Sequence, residues 1–324
     1  MKENENENEN TNIKKMISNL VESDYIKEGW FDKETFNTDS IIDCIKKCTS
    51  PRASKKNKPI TEDDLKLIFK AFSLFKPSET RVLILGQDPY PDNDRAHGLA
   101  FSFKNNQKPN DSILNIFKAI KVRKEEDMTK HFCDIADTEV EWYTNIETWA
   151  RNKCILLLNT ALTYQKKEKE DPKTQKELKE KHKSAWNQFV QYIIRNLINC
   201  KLTMRDNNKL AVFLWGVDAQ NIFSQSLKKI PNSETLSDLI NAPDKIFTDK
   251  EIKKLLHYPE DTKIDNNNNI IRLFLTSHPS NNYQAVKQGF CYEAPNHFAA
   301  CDKFLCPNDN GKYIFKDFPE NNTK

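Results

Sequence analysis

Glycine is nearly absent from this chain, with six in 324 residues against the roughly 7% usual in proteins. So few glycines are expected only where a positive φ or a close backbone approach demands one. Four of the six, Gly86, Gly98, Gly216 and Gly289, fall in segments that read as parts of one site. Long apolar runs are missing too. No stretch of about eighteen or more uninterrupted apolar residues occurs, so no membrane span and no membrane partner are expected. The N-terminal MKENENENENTN lacks the apolar centre of a signal peptide. An intracellular location, cytoplasmic or nuclear, is therefore the expectation. The eight cysteines include no CxxC pair and no regular spacing, which argues for ordinary reduced thiols. Cys44 and Cys48, four apart on an expected helix, could supply half of a metal or cluster site. A charge excess is also lacking, since 50 basic and 47 acidic residues leave a net charge of +3. Any contact with nucleic acid must then come from local patches.

An apolar content of 37% is enough to bury a core in a chain of this length. The alternating Glu and Asn at the start cannot offset their ordering entropy, so residues 1–12 are expected to be a disordered tail. Residues 13–324 read as a single domain. Four short, almost continuously apolar runs, 82–85, 154–158, 210–214 and 271–275, read as strands buried on both faces. Helical patterns lie between them. Trp186, Phe189, Val190, Ile193, Ile194, Leu197 and Ile198 trace one helical face that belongs to the core. Thr61 with Asp64 predicts a capping box ahead of Leu65, Ile68, Phe69 and Phe72. The fold class is therefore α/β: a three-layer α/β/α arrangement around a central four-stranded, mainly parallel sheet. The Lys- and Glu-rich residues 166–183 read as a solvated loop entering the Trp186 helix, with a basic contact to phosphate as the alternative. Residues 224–269 read as a peripheral insertion with some helix near 249–256.

Ligands of open α/β sheets bind beyond the carboxyl ends of the strands. The segments after the four strands are Gly86-Gln87-Asp88-Pro89-Tyr90, Asn159-Thr160, Trp215-Gly216 and Thr276-Ser277-His278-Pro279-Ser280. A carboxylate, a carboxamide and an imidazole are thus brought to one sheet edge. Singly, Asp88 could cap a turn, Asn159 could finish a strand and His278 could be a structural histidine. A nucleophilic triad is disfavoured because no nucleophile elbow is present, and metal-assisted hydrolysis because candidate ligands are too few. Asp, His and Asn together suit a reaction in which positive charge grows on a sugar and negative charge on a departing base.

These segments, GQDPYPDNDRAHGLAFSF, LLLNTALTY, VFLWGVDAQ and SHPS with the later QGF, resemble in order the signatures of family 1 uracil-DNA glycosylases. The similarity spans roughly residues 58–305. The resemblance implies hydrolysis of the bond between uracil and deoxyribose, leaving an abasic site in base-excision repair, with no metal or cofactor. The implied partner is DNA containing uracil, single- or double-stranded, bound by a monomer. Replication or repair proteins, or a protein inhibitor, are further partners to consider. By the same resemblance, Asp88 positions water and stabilises the sugar cation, and a neutral His278 hydrogen-bonds the charge developing on uracil O2. Asn159 pairs with uracil N3 and O4, and Gln87 lies in the loop touching the base. Phe101 can stack on the flipped base, and Tyr90 stands where a C5 methyl would collide. Ser112 and Ser280 correspond to serines that contact DNA phosphates. His97 matches a motif residue and reads as structural.

The pattern breaks in four places. Pro91 stands where most members have histidine, and Val217 replaces the serine that usually comes after Trp-Gly. The loop before Ser112 is reduced to 108–111. The stretch 281–288 is about two residues longer than usual, which leaves Tyr283 as the candidate wedge for the vacated base stack. Two alternatives accompany the main reading: a glycosylase for a modified pyrimidine, and a DNA-binding or replication scaffold with the same fold.

Overall fold

The computed structural model describes residues 2–31, 38–48, 60–91, 94–124, 143–164, 172–227, 246–247, 271–280, 290–306 and 313–315. The helices are α1 (Lys2–Glu22), α2 (Thr38–Cys48), α3 (Glu62–Ile68), α4 (Asp111–Lys124), α5 (Glu147–Lys153), α6 (Pro172–Thr203), α7 (Val217–Leu227) and α8 (Phe290–Leu305). The strands are β1 (Val82–Gly86), β2 (Ile155–Asn159), β3 (Leu210–Trp215), β4 (Ile246–Phe247) and β5 (Ile271–Thr276). They form one sheet in the order β2-β1-β3-β5-β4. Pairing is parallel throughout, except that β4 lies antiparallel on the edge beside β5.

All four apolar runs are strands, and every side chain of β1, β2 and β3 is buried. Helices covering both faces of a parallel sheet account for that continuous burial. β2 begins one residue later than expected, because Cys154 takes a left-handed φ of 55° and ends α5 instead. β4 was not expected. It falls inside the segment read as an insertion, most of which, including 249–256, lies outside the described residues. The start of that segment needs correction: residues 224–227 belong to α7, where Ser224, Ser226 and Leu227 are buried.

Two further expectations are corrected. The Glu–Asn repeat is not a disordered tail but occupies the first turns of α1. Ile13, Ile17 and Leu20, spaced for one helical face, dock on the core. Extending an established helix adds one hydrogen bond per residue, so the polar repeat continues it. Similarly, residues 172–183 are not a loop but the opening turns of α6. Lys and Glu are good helix formers and proline suits a helix start. The expected stripe from Trp186 to Ile198 is buried along this helix. Trp186 Nε1 donates to Thr163 Oγ1 at 2.7 Å, and Thr163 Oγ1 lies 2.8 Å from His182 Nδ1. These bonds fasten α6 to the loop after β2.

No helix among the described residues is long and apolar enough to cross a membrane. Cys44 Sγ donates to the Ala185 carbonyl at 2.9 Å, and burial pushes its thiol up to about 11. It therefore serves α2–α6 packing. The capping box of α3 is formed: Asp64 N–H donates to Thr61 Oγ1 at 3.2 Å, and Thr61 N–H to Asp64 Oδ2 at 2.9 Å. Thr61→Ala should lower the unfolding free energy by about 1 kcal/mol in urea titration, with an unchanged m-value.

Candidate active site

Parallel register puts the carboxyl ends of four strands level. Gly86 pairs with Asn159, Leu85 with Leu214, and Trp215 with Thr276. The loops leaving these strands therefore open into a common cleft of about 420 Å³. Gln87, Asp88, Tyr90, Phe101, Ser112, Asn159 and His278 all line it. Ser280 reaches it through His278. Tyr283 lies outside the described residues.

The loop after β1 is held tightly. Thr160 N–H donates to the Gly86 carbonyl at 3.0 Å, and Ala161 N–H and Thr160 Oγ1 donate to the Gln87 carbonyl at 3.0 and 2.8 Å. At Gly86, a Cβ would come within 2.4 Å of Asn159 Oδ1, so glycine is what lets the Asn159 side chain lie across β1. Among the described residues no side chain takes up the Asn159 carboxamide. Its donor and its acceptor both remain available to the cleft.

Aromatic rings shape the walls. Phe101 adopts a φ of 56°, a costly conformation for a bulky residue, and its ring packs edge-on against Trp215 at 5.4 Å. The same ring lies 6.0 Å from the His278 imidazole. Tyr90 is fixed edge-on against Phe103 at 4.8 Å.

His278 has a defined tautomer. Ser280 N–H donates to its Nδ1 at 3.2 Å, and Ser280 Oγ lies 2.7 Å from the same nitrogen. A backbone N–H can only donate, so Nδ1 accepts and the proton of the neutral ring sits on Nε2. Burial, reinforced by the charge of Lys179, holds His278 below the ordinary histidine range. The loop is tied down from α4, where Asn115 Nδ2 donates to the Pro279 carbonyl at 2.6 Å. Gly216, at φ 88°, passes so close that a Cβ there would meet His278 Cβ at 3.0 Å. Asn110 caps α4 by accepting from Ile113 N–H at 3.0 Å, which sets Ser112 in the first turn at the cleft wall.

Asp88 is partly buried, and desolvation raises its pKa despite the opposing charge of Lys179, whose Nζ stands 3.0 Å from Asp88 Oδ1. Lys179 also donates to Gln87 Oε1 at 2.8 Å. Gln87 Nε2 donates in turn to Asp218, which pairs with Lys183. Burial works against the Asp218 charge, but these two partners hold its carboxyl below the usual range. Sequence reasoning missed Lys176, Lys179, Lys183 and Asp218. The +3 and +4 spacing of the lysines was the available signal, hidden by reading 166–183 as solvated loop. Val217, where a serine was expected, is 69% exposed beside them.

Among the described residues no group of three or more His, Cys, Asp or Glu could hold a metal ion. His97 lies outside the cleft lining. It is buried near Glu147, with Nδ1 3.8 Å from Oε2.

Residues 72–305 match the Uracil DNA glycosylase superfamily, and the chain belongs to that family. Among curated proteins, it is similar to a uracil-DNA glycosylase of Buchnera aphidicola subsp. Acyrthosiphon pisum, 33% identical over 164 residues, covering 50% of this chain and 62% of that protein. A uracil-DNA glycosylase of Dictyostelium discoideum is 29% identical over 175 residues, covering 52% of this chain and 41% of that protein. The chain thus spans about two to three fifths of the length of these relatives. The crystal structure of wild-type UNG from Nitratifractor salsuginis superposes with a TM-score of 0.50 at 16% identity, covering 88% of this chain and 95% of that one. This last likeness shows the fold.

Burial pushes His97 down to about 4, so the unfolded chain binds a proton there that the folded chain refuses. The stability this neutral histidine contributes is complete above its ordinary pKa of 6.5 and is lost as pH falls toward about 4. His97→Gln should flatten that part of the stability–pH curve, measured by urea unfolding at successive pH values.

Proposed function

We propose that the chain excises uracil from DNA by hydrolysing the N-glycosidic bond, releasing free uracil and leaving an abasic site. The observation that carries this reading is the meeting, in one cleft, of a partly buried carboxylate (Asp88), a neutral imidazole with its proton on Nε2 (His278) and an open carboxamide (Asn159). As the bond from C1′ to the base lengthens, positive charge on the sugar is stabilised by the Asp88 carboxylate. The electron pair leaves with the base, and His278 Nε2–H donates to the oxygen on which that charge collects. Water held by Asp88 then attacks C1′, and its proton passes to the carboxylate.

Discrimination rests on the same side chains. The Asn159 carboxamide can accept from N3–H and donate to O4 of uracil, whereas cytosine reverses that pattern and would leave buried groups unpaired. The Phe101 ring offers a stacking face, and Tyr90, fixed against Phe103, occupies the room that a C5 methyl or a larger C5 group needs. To reach the cleft the base must leave its stack, which costs a few kcal/mol and less in single strands. Ser112 at the start of α4 and Ser280 beside His278 are suited to hold flanking phosphates, with the helix-start amides assisting. Affinity should then fall steeply with salt.

The test is release of free uracil from a single-stranded oligonucleotide carrying one deoxyuridine, in excess chelator. The wild-type chain should release it. Asp88→Asn and His278→Leu should each slow release by about 10²–10⁴-fold while unfolding at the wild-type temperature. Near-wild-type rates from both variants would contradict the reading.

A further inference from the structure

Helix α6 reaches into the cleft at Lys179. Its ammonium bridges Asp88 Oδ1 at 3.0 Å and Gln87 Oε1 at 2.8 Å, and the Gln87 amide continues to Asp218 and Lys183. One chain of polar contacts thus links the loop after β1, the helix α6 and the first turn of α7. The Asp88 side chain is 15% exposed and that of Lys179 is 32% exposed. The Asp88 carboxylate is better shielded from water than those of the exposed surface pairs, which contribute little.

The glycosylase chemistry needs two partly buried groups in opposite protonation states: Asp88 ionised and His278 neutral. Burial helps only the second, because desolvation disfavours charge on both. A fixed positive charge beside them serves both needs, since it attracts the carboxylate and repels an imidazolium. We infer that Lys179 is the positioning residue of this site, holding the Asp88 carboxylate in place and keeping Asp88 ionised while His278 stays neutral. This rests on the uracil-excision reading and adds to it a residue that acts through Asp88 and His278.

The surrounding charges fit this assignment. Asp88 is faced by Lys179, Lys183 and Asp218, and His278 by Lys179 and Asp218. Lys179 lowers the proton affinity of both groups, and Asp218 raises it for both. Lys183, paired with Asp218, offsets the carboxylate that works the wrong way.

The experiment compares Lys179→Met and Lys179→Arg with wild type in the full chain, with Lys179→Gln as a second neutral replacement should the Met variant fail to fold. Two quantities are read from about pH 5 to about pH 9. One is the single-turnover rate of uracil release. The other is the ring ¹⁵N shift of His278 in the DNA-free protein, which needs no activity. Loss of the charge should move the acid limb of the rate to higher pH, with about a tenfold loss at the acid end and little at the alkaline end. The His278 midpoint should rise, and Arg should restore both. An unmoved His278 midpoint with a loss uniform across pH overturns the proposal. If wild type releases no uracil, an unmoved midpoint still overturns it. A midpoint that rises in such a protein supports the charge role and defeats the excision reading alone.

Discussion

The parallel pairing of β1 with β2 on one side and β3 on the other is the constraint on which the rest of the molecule depends. Because Gly86 stands opposite Asn159 and Leu85 opposite Leu214, the chain leaves three strands at one level, and β5 joins through Trp215 and Thr276. A slip of one residue would turn each strand's side chains to the opposite face. Asn159 would then no longer lie across β1, and the close approach that only Gly86 permits would lose its purpose. The site is in this sense a property of strand register, and the loops decorate an edge the sheet has already aligned.

On that edge the difficulty is electrostatic. An unpaired buried carboxylate is costly, and its usual response is to take up a proton. Asp88 is kept from that outcome by Lys179, a residue delivered from a different part of the chain by a helix that begins well before its core stripe. The helix can reach because Trp186 and His182 fasten it to Thr163. Core packing, helix length and charge at the cleft are therefore one connected arrangement. The same charge works with burial and with the Ser280 N–H on Nδ1 to favour the neutral Nε2–H form of His278.

The strands were legible because a strand covered on both faces is written as an almost continuous apolar run, as β1, β2 and β3 are and as β5 is apart from Arg272. Asp88, Asn159 and His278 were legible because strand ends in open α/β sheets are where ligands bind. The capping box at Thr61 and the stripe from Trp186 to Ile198 were local patterns with a single meaning. Residues 2–12 and 172–183 misled because composition is a poor guide when a helix is continued from a docked segment. Ile13, Ile17 and Leu20 carry the first, and the Trp186 stripe carries the second. Lys179 was hidden for the same reason, since its role depends on helical reach across a gap of 91 residues from Asp88. The two-residue β4 had no pattern of its own, and its pairing comes entirely from β5.

The most direct measurement is free-base release from three single-stranded oligonucleotides identical except for uracil, thymine or cytosine at one position. If Asn159 reads the base edge and Tyr90 guards C5, uracil alone is released, with the other two bases at least about 10²-fold slower. Comparable release of thymine or cytosine, or release of none of the three by the folded chain, would contradict the assignment of this cleft to uracil.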